Sequence, residues 1–312
     1  MSGGHGPAAL VINPYATKAT TQARAAAVQA LEPFGLERVV ISRGPGAVAE
    51  EVKAAVADGV GMVASLGGDG TVAEVAGALA GTDTVAVPLP SGGTNVFTRS
   101  VGWPSDLASA LSVMPRDPQS ARIANLRLGR LRAGNHDRVV VINIGFGLDA
   151  ETVHWVEAHP GLKRRLRQLA FVIGAWRSAA MFAREPPRLS IRVDGAEPIE
   201  AATALVACGS PYTYLGRRPL DLVPGAAFDD ELAWRALVDM NLRSASVAVI
   251  DALAGRESTS TALVGGRFSS TLTVQSEPAV AIQCDGEPLG WHSMATVEPG
   301  PTLRTLLPAQ RR

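Results

Sequence analysis

The sequence has few cysteines, no net charge and no long apolar run. Its 312 residues include two cysteines, Cys208 and Cys284, which are too few for a disulfide framework or a zinc-binding set. The 29 Lys and Arg residues balance 29 Asp and Glu residues, so the chain lacks the overall positive charge that draws proteins to nucleic acid. We therefore expect a protein of a reducing compartment that has no nucleic-acid partner.

No apolar run approaches the roughly 18 residues that a membrane-spanning helix requires. The longest candidate, residues 169–176, ends at Arg177, and the first apolar run, residues 8–12, is too short for a signal peptide. These absences predict a soluble cytoplasmic protein whose membrane contact is peripheral, at the inner membrane surface. The Walker A sequence and the Gly-x-Ser-x-Gly motif are also absent, which excludes the P-loop and the α/β-hydrolase classes.

Apolar segments alternate with helix-like segments in the first part of the chain. The predicted strands are residues 8–12, 38–42, 61–66 and 84–89, and the predicted helices are residues 20–31, 47–57 and 71–80. Such alternation is typical of a doubly wound parallel α/β sheet. We expect this domain to span residues 1–122, with residues 296–312 returning to it.

The character of the chain changes after about residue 122, where strand-like segments predominate. A hairpin is predicted from residues 122–131 and 138–144, around the turn pair Gly134-Asn135. Further predicted strands are residues 188–193, 203–208, 232–238, 267–274 and 280–284, and predicted helices are residues 150–157, 162–182 and 244–254. These segments predict a second, β-rich and sandwich-like domain over residues 123–295.

The strongest local signal is a glycine-rich stretch between a predicted strand and a predicted helix. Gly67, Gly68 and Gly70 surround Asp69, and glycines without Cβ atoms allow backbone amides to approach a phosphate closely. The N-terminus of the following helix would add N–H groups and the positive end of its dipole. Thr71 and Glu74 have the spacing of a capping box for that helix. A plain tight turn is the alternative interpretation.

Two more loops follow predicted strands of the same sheet. Residues 13–18, Asn-Pro-Tyr-Ala-Thr-Lys, supply a lysine, and residues 90–95, Pro-Ser-Gly-Gly-Thr-Asn, are flexible and carry hydroxyl groups. Each loop taken alone is an ordinary turn. Three such loops at the carboxyl ends of parallel strands indicate a nucleotide site at that edge of the sheet.

These motifs, together with a late Cys-Asp-Gly-Glu at residues 284–287, occur in an order that resembles the diacylglycerol kinase and sphingosine kinase catalytic family, in its bacterial soluble form. The resemblance implies an NAD kinase/diacylglycerol kinase-like fold, with a nucleotide-binding first domain and a lipid-substrate second domain. It also implies a set of residues around the nucleotide. They are Asn13, Pro14, Lys18, Ser42, Gly67, Gly68, Asp69, Gly70, Thr71, Glu74, Gly92, Gly93, Thr94 and Asn95.

The resemblance assigns catalytic and metal roles in the second domain. Asp285 or Glu287 would accept the proton of the attacking hydroxyl; a hairpin turn with Asp-Gly at its tip is the alternative. A magnesium ion would be bound near an acidic pair, a role for which turn carboxylates in solvent are the alternative. The metal residues that the resemblance implies are Ala227, Asp229, Asp230, Leu232 and Asp149.

Three positions depart from the family pattern. Ala73 stands where the family commonly has Asn, Gly93 where it has Thr, and Glu231 where it has Gly. The first two bear on nucleotide binding and the third on metal geometry.

The resemblance therefore implies an ATP- and Mg²⁺-dependent kinase that acts on the hydroxyl of a diacylglycerol-like or sphingoid-like lipid. A soluble-metabolite kinase of the NAD kinase type and a non-catalytic nucleotide-binding module are the alternatives. The basic run at residues 163–167 precedes large apolar residues, which suits either an anionic bilayer surface or a solvated helix face beside a core helix. The oligomeric state has no signature in the sequence.

Overall fold

The chain folds as two compact units. The structure is a computed structural model that describes residues 6–16, 18–44, 46–166, 168–182, 187–238, 251 and 260–309. The first unit extends to Leu126 and resumes at Pro301, and the second unit runs from Arg127 to Gly300. Among the described residues, no helix is both long and apolar enough to cross a bilayer.

The first unit alternates strands and helices. Its strands are β1 (Ala8–Ile12), β2 (Leu36–Ile41), β3 (Met62–Gly67) and β4 (Val85–Pro90), and its helices are α1 (Thr21–Leu31), α2 (Ala47–Ala57), α3 (Asp69–Leu79), α4 (Val96–Ser100) and α5 (Leu107–Ser112). Short 3-10 turns occur at Glu32–Phe34 and Pro118–Ser120.

The sheet of the first unit is parallel, in the order β2-β1-β3-β4. Every residue of β1, β3 and β4 is buried, as expected of central parallel strands that are covered on both faces. Arg304, near the chain end, pairs in parallel with Val85 of β4. The connection from β1 leads to β2 on one side and the connection from β3 leads to β4 on the other, so the boundary of β1 and β3 is the point where doubly wound sheets bind ligands.

The second unit consists mainly of antiparallel strands. The strands, two of which continue into the first unit, are β5 (Arg122–Ala133), β6 (His136–Val140), β7 (Asn143–Phe146), β8 (Leu189–Val193), β9 (Ile199–Ala201), β10 (Thr203–Ala207), β11 (Thr213–Leu215), β12 (Arg218–Leu220), β13 (Leu232–Leu237), β14 (Leu263–Phe268), β15 (Leu272–Cys284) and β16 (Glu287–Leu307). Its helices are α6 (Leu148–Glu157), α7 (Pro160–Leu166) and α8 (Gln168–Phe182).

Antiparallel pairing runs from β14 through β13, β10 and β7 to β15, and β15 also pairs with β8 and β16. The predicted hairpin at Gly134 is formed by β5 and β6. The fold class predicted from the sequence, a doubly wound parallel α/β domain followed by a β-rich domain, is therefore confirmed.

Three predicted elements differ in the structure, and one cannot be compared. The strand predicted over residues 138–144 is instead parts of two strands, β6 and β7. The strand predicted over residues 267–274 is interrupted, because the N–H groups of Ser269, Ser270 and Thr271 donate to the carboxylate of Asp194 and form a turn. The helix predicted over residues 162–182 is instead two helices, α7 and α8. The helix predicted over residues 244–254 lies outside the described residues, except for Asp251.

Candidate functional site

The loops that follow β1, β3 and β4 are hydrogen-bonded to one another. The Nδ2 atom of Asn13 donates to the Oγ1 atom of Thr71 at 2.9 Å, which joins the loop after β1 to helix α3. The backbone N–H of Lys18 donates to the carbonyl of Ser91 at 3.2 Å, which joins the same loop to the one after β4. The structure thus brings these predicted segments together at the carboxyl edge of the sheet.

The start of helix α3 differs from the prediction. The capping box of Thr71 and Glu74 is wrong, because the helix begins at Asp69 and its cap residue, Gly68, has no side chain to offer. The carboxylate of Glu74 instead accepts the backbone N–H of Gly46 at 3.1 Å. Glu74 therefore links α3 to the loop after β2, so that loop also joins the cluster.

Close packing explains two of the glycines. A Cβ atom on Gly92 would lie 2.6 Å from the Cα atom of Gly68, so the loops after β3 and β4 touch through their backbones. A Cβ atom on Gly67 would lie 2.4 Å from the side chain of Thr71. Gly93, in contrast, is exposed, and a Cβ atom there would meet nothing within 4 Å. Contact between the loops therefore requires glycine at 92, and the close packing of Thr71 requires glycine at 67.

Asp69 connects the glycine-rich loop to the start of helix α4. Burial raises the pKa of Asp69 from 3.8 to about 6, although the backbone N–H groups of Val96, Phe97 and Asn95 and the charge of Arg99 act in the opposite direction. The Oδ1 atom of Asp69 is buried and has no hydrogen-bond partner among the described residues. An unsatisfied buried carboxylate oxygen is costly to stability and is a feature that functional sites commonly carry.

Asn95 holds the loop after β4 in its conformation. Its backbone is left-handed, with φ of 53°, and its Oδ1 atom accepts the N–H of Gly92 at 2.9 Å. Its Nδ2 atom donates to the carbonyls of Gly92 and Ser105, both at 3.2 Å. Asn95 is therefore occupied in shaping the loop.

The remaining residues predicted for the nucleotide lie around this edge with looser connections. Pro14 is half-buried, and the Lys18 side chain and Gly70 are exposed. The Oγ atom of Ser42 bonds within its own loop, to Gly44 at 3.3 Å. The carbonyl of Thr94 accepts from Arg99. Ala73, where the family commonly has Asn, is half-buried within α3.

In the second unit, Asp285 and Gly286 form the turn between β15 and β16. Both have left-handed backbones, with φ of 51° and 83°, as a two-residue hairpin turn requires. The Asp285 carboxylate accepts the backbone N–H groups of Val141 at 2.9 Å, Ile142 at 2.7 Å and Asn143 at 3.1 Å. Burial nevertheless raises the pKa of Asp285 to about 6.

Glu287 differs from Asp285 in its surroundings. It is exposed, and its Oε2 atom lies 3.8 Å from a guanidinium nitrogen of Arg138, at the limit of an ion pair. The charge of Glu287 also contributes to raising the pKa of Asp285. Asp285 is thus held by three backbone N–H groups, whereas the Glu287 carboxylate is exposed to solvent.

A buried polar network joins Asp149 to the Asp285 turn. The Oδ2 atom of Asp149 accepts the hydroxyl of Tyr212 and the Nε2 group of Gln283, each at 2.8 Å. The Oε1 atom of Gln283 accepts the N–H of Gly286 at 2.8 Å. Burial raises the pKa of Asp149, and the two donors act against this rise. Gly145 makes room for the network, since a Cβ atom there would lie 2.0 Å from Asp149.

The acidic pair that the resemblance assigned to a metal ion is engaged in ion pairs. Asp229 and Glu231 both form ion pairs with Arg267, and Asp230 pairs with Arg127 at 2.8 Å. Ala227 and Leu232 flank these acids; Leu232 pairs with Phe268 in the sheet. In the part of the chain that the structure describes, no three His, Cys, Asp or Glu residues are grouped as a metal site would require.

The hydrogen bonds of Asp149 go to Tyr212 and Gln283, so the structure does not bring it to the acidic pair as the resemblance implied. The sequence reasoning also missed Asn143, Gln283 and the partner role of Arg267. Asn143 and Gln283 are polar residues inside apolar strands, and that pattern could have identified them as members of a buried network.

We expect Gly92→Ala to lower the free energy of unfolding by about 1–3 kcal/mol, because the added Cβ atom overlaps the backbone of Gly68. Urea denaturation measures the change. Gly93→Ala is the matched control, since it adds the same atom one residue away in open space, and its effect should stay within about 0.5 kcal/mol. Equal effects of the two substitutions would contradict the close contact of the loops.

We expect Asp69→Asn to remove a pH dependence of stability. Burial raises the pKa of Asp69 from 3.8 to about 6, so the folded protein holds this proton more tightly than the unfolded chain. The stabilisation from the proton is present below about pH 4 and is lost as the pH rises through 6. The free energy of unfolding of the variant should gain on the wild type by roughly 3 kcal/mol between pH 4 and 7. Urea titrations across this range check it, and a constant difference would refute it.

Comparison with known proteins finds sequence similarity in the first unit. Residues 7–126 match the family model of the diacylglycerol kinase catalytic domain. A protein of Xanthomonas euvesicatoria pv. vesicatoria named "Probable lipid kinase YegS-like" is 38% identical over 128 residues, which cover 38% of this chain and 38% of the relative. A protein of the same name from Xanthomonas oryzae pv. oryzae is 39% identical over 131 residues, 39% of this chain and 40% of the relative. The matches thus span well under half the length of these relatives.

Similarity to solved structures covers much more of the chain. A diacylglycerol kinase from Bacillus anthracis has a TM-score of 0.69 at 17% identity, and the alignment covers 96% of both chains. A second solved chain from that organism has a TM-score of 0.73 at 18% identity. At this identity the likeness concerns the fold. The resemblance is therefore confirmed: residues 7–126 are similar to the diacylglycerol kinase catalytic domain, and the chain shares the two-part fold of a solved diacylglycerol kinase.

Proposed function

We propose that the protein is a lipid kinase that transfers the γ-phosphate of ATP to the hydroxyl of a diacylglycerol-like or sphingoid-like lipid. The observation that carries the proposal is the joined set of loops at the carboxyl edge of β1–β4, with Asp69 at its centre, in the segment that matches the diacylglycerol kinase catalytic domain. The relatives named as lipid kinases match this same segment.

The loop geometry supports a triphosphate as the ligand of the first unit. Gly68 has no Cβ atom to shield the backbone, and α3 begins immediately after it, so the N–H groups of the first turn of α3 can bind phosphate. The exposed side chain of Lys18 can add a positive charge at the same edge. A kinase domain of this family implies ATP as the phosphate donor, usually with a divalent metal.

The acids at 229–231 do not fit a magnesium site. Each of the three is paired with an arginine, Asp229 and Glu231 with the same one. A Mg²⁺ ion would have to displace these ion pairs in order to bind the carboxylates. This segment therefore has no part in the proposed binding of Mg²⁺. Mg²⁺ enters the proposal as the ion that accompanies ATP.

Asp285 is the residue that we propose as the proton acceptor for the lipid hydroxyl. Three backbone N–H groups hold its carboxylate in place, and each oxygen can accept two hydrogen bonds, so Oδ2, with a single bond to Val141, keeps a lone pair. A pKa of about 6 suits a general base at neutral pH. Glu287 is less suited because its carboxylate is exposed to solvent.

Incubation of the protein with radiolabelled ATP, Mg²⁺ and a panel of acceptors tests the function. The panel contains diacylglycerols and long-chain amino alcohols in mixed micelles, with NAD as the soluble alternative. We expect label to move to a lipid. Transfer to NAD alone would establish the metabolite kinase instead, and ATP binding without transfer to any acceptor would establish a nucleotide-binding module.

We expect the pH–rate profile of the wild type to rise through about pH 6, because Asp285 must lose its proton to act as a base. Asp285→Asn should lower kcat by roughly 10²- to 10⁴-fold and abolish this rise. Glu287→Gln is the control and should keep kcat, with the rise moved slightly to lower pH because the charge of Glu287 no longer raises the pKa of Asp285. Circular dichroism and urea denaturation check folding, since Asp285→Asn also weakens the bonds to Val141, Ile142 and Asn143. Full activity of a folded Asp285→Asn protein would exclude the assignment.

A further inference from the structure

Helix α8 is apolar on the side that faces water as well as on the side that faces the protein. Its inner face is a row of buried residues at fourfold spacing, Ala170, Gly174, Ser178 and Phe182. A Cβ atom on Gly174 would lie 3.1 Å from the ring of Trp155, so this row packs closely on helix α6. One face of α8 is thus fully buried against the rest of the second unit.

The opposite face of α8 exposes large apolar side chains at the spacing of one helical stripe. The exposed fractions are 59% for Leu169, 39% for Val172, 45% for Ile173 and 64% for Trp176. Soluble proteins rarely leave such a stripe in water, and helices that are apolar all round are usually buried. Its 15 residues make a helix of roughly 22 Å, which is shorter than a bilayer-spanning helix. Whatever covers the stripe must therefore lie against the helix, and the helix does not cross it.

Positive charge accompanies the stripe. The segment of residues 160–182 contains five basic residues and no acidic residue, in a chain whose charges cancel overall. Arg165 at the end of α7 and Arg177 on α8 are both exposed. A basic segment beside an apolar face that contains tryptophan is the combination by which amphipathic helices bind the surface of anionic membranes.

We propose that α7 and α8 form a docking surface for an anionic lipid bilayer, in which the stripe of Leu169, Val172, Ile173 and Trp176 enters the interfacial layer. The proposal rests on the proposed function only in its purpose, since a lipid acceptor resides in such a membrane. A second copy of the chain is disfavoured as the occupant. A two-fold contact would set α7–α8 against itself and bring the exposed Arg165 and Arg177 of each copy towards those of the other.

Sedimentation with lipid vesicles tests the docking surface directly, without any enzymatic step. We expect the wild type to bind vesicles of phosphatidylglycerol and phosphatidylcholine in equal parts, to bind pure phosphatidylcholine far less, and to be released by salt. Ile173→Ser combined with Trp176→Ser should weaken binding by about tenfold or more, because two apolar side chains no longer enter the interface. Arg165→Gln should weaken binding to the anionic vesicles alone.

Val39→Ser is the matched control. Val39 is 47% exposed, close to the 45% of Ile173, but it lies on the edge strand β2 of the first unit. This variant should bind vesicles as the wild type does. The proposal would be overturned if the wild type did not bind anionic vesicles, or if the Ile173→Ser/Trp176→Ser protein bound them as strongly as the wild type. It would also be overturned by a dimer that the double substitution splits while vesicle binding persists.

Activity on a short-chain diacylglycerol that is dispersed in water separates this inference from the proposed function. If the docking surface serves only to reach the membrane, the double variant should phosphorylate this acceptor at the wild-type rate and lose activity on vesicles. Loss of vesicle binding in the variant, with no lipid phosphorylated by either protein, would retain the docking surface and reject the kinase. Phosphorylation of vesicle lipid at an undiminished rate by the variant would reject the docking surface and retain the kinase.

Discussion

The carboxylate of Asp69 lies where two loops of the first unit meet, and much of the candidate site depends on its bonds. Asp69 opens α3 and faces the N–H groups that open α4, so one side chain fixes the relative position of two helix starts. The contact of Gly68 with Gly92 requires that Gly92 lack a Cβ atom, whereas a Cβ atom on Gly68 would lie at an ordinary 3.4 Å. The site is therefore built by backbone proximity and a buried carboxylate. Burial disfavours the charged form of that carboxylate, and the pKa of Asp69 is raised for this reason.

The second unit uses the same arrangement at Asp285. There, too, a carboxylate accepts successive backbone N–H groups from a segment distant in sequence, residues 141–143, and there, too, burial outweighs those bonds in setting the pKa. The network through Gln283 ties this turn to Asp149, so the turn cannot shift without disturbing a buried charge. Rigid placement of a carboxylate is what proton transfer requires, and here it follows from packing rather than from the turn residues alone.

Local signals predicted much of the fold from the sequence, and the failures have identifiable causes. Strand β1 and helix α2 occur over the predicted residues because continuous apolar runs and fourfold valine spacing are local properties. The break after Phe268 was missed because its cause, the Asp194 carboxylate, lies about 75 residues away. In the site, the glycines were predicted for phosphate access, whereas the structure adds a packing requirement that only the contact of Gly68 and Gly92 reveals.

The departure of Glu231 from the family pattern has a physical consequence that a residue-by-residue transfer of roles overlooks. Glycine at this position would leave Arg267 with Asp229 as its acidic partner, whereas Glu231 supplies a second carboxylate at 3.0 Å from the guanidinium. Arg267 then lies between two carboxylates, and a cation nearby would compete with a covalently tethered positive charge. An acidic pair that matches a family metal motif in type and order can thus also take part in a surface ion-pair cluster, which the departing residue, Glu231, enlarges.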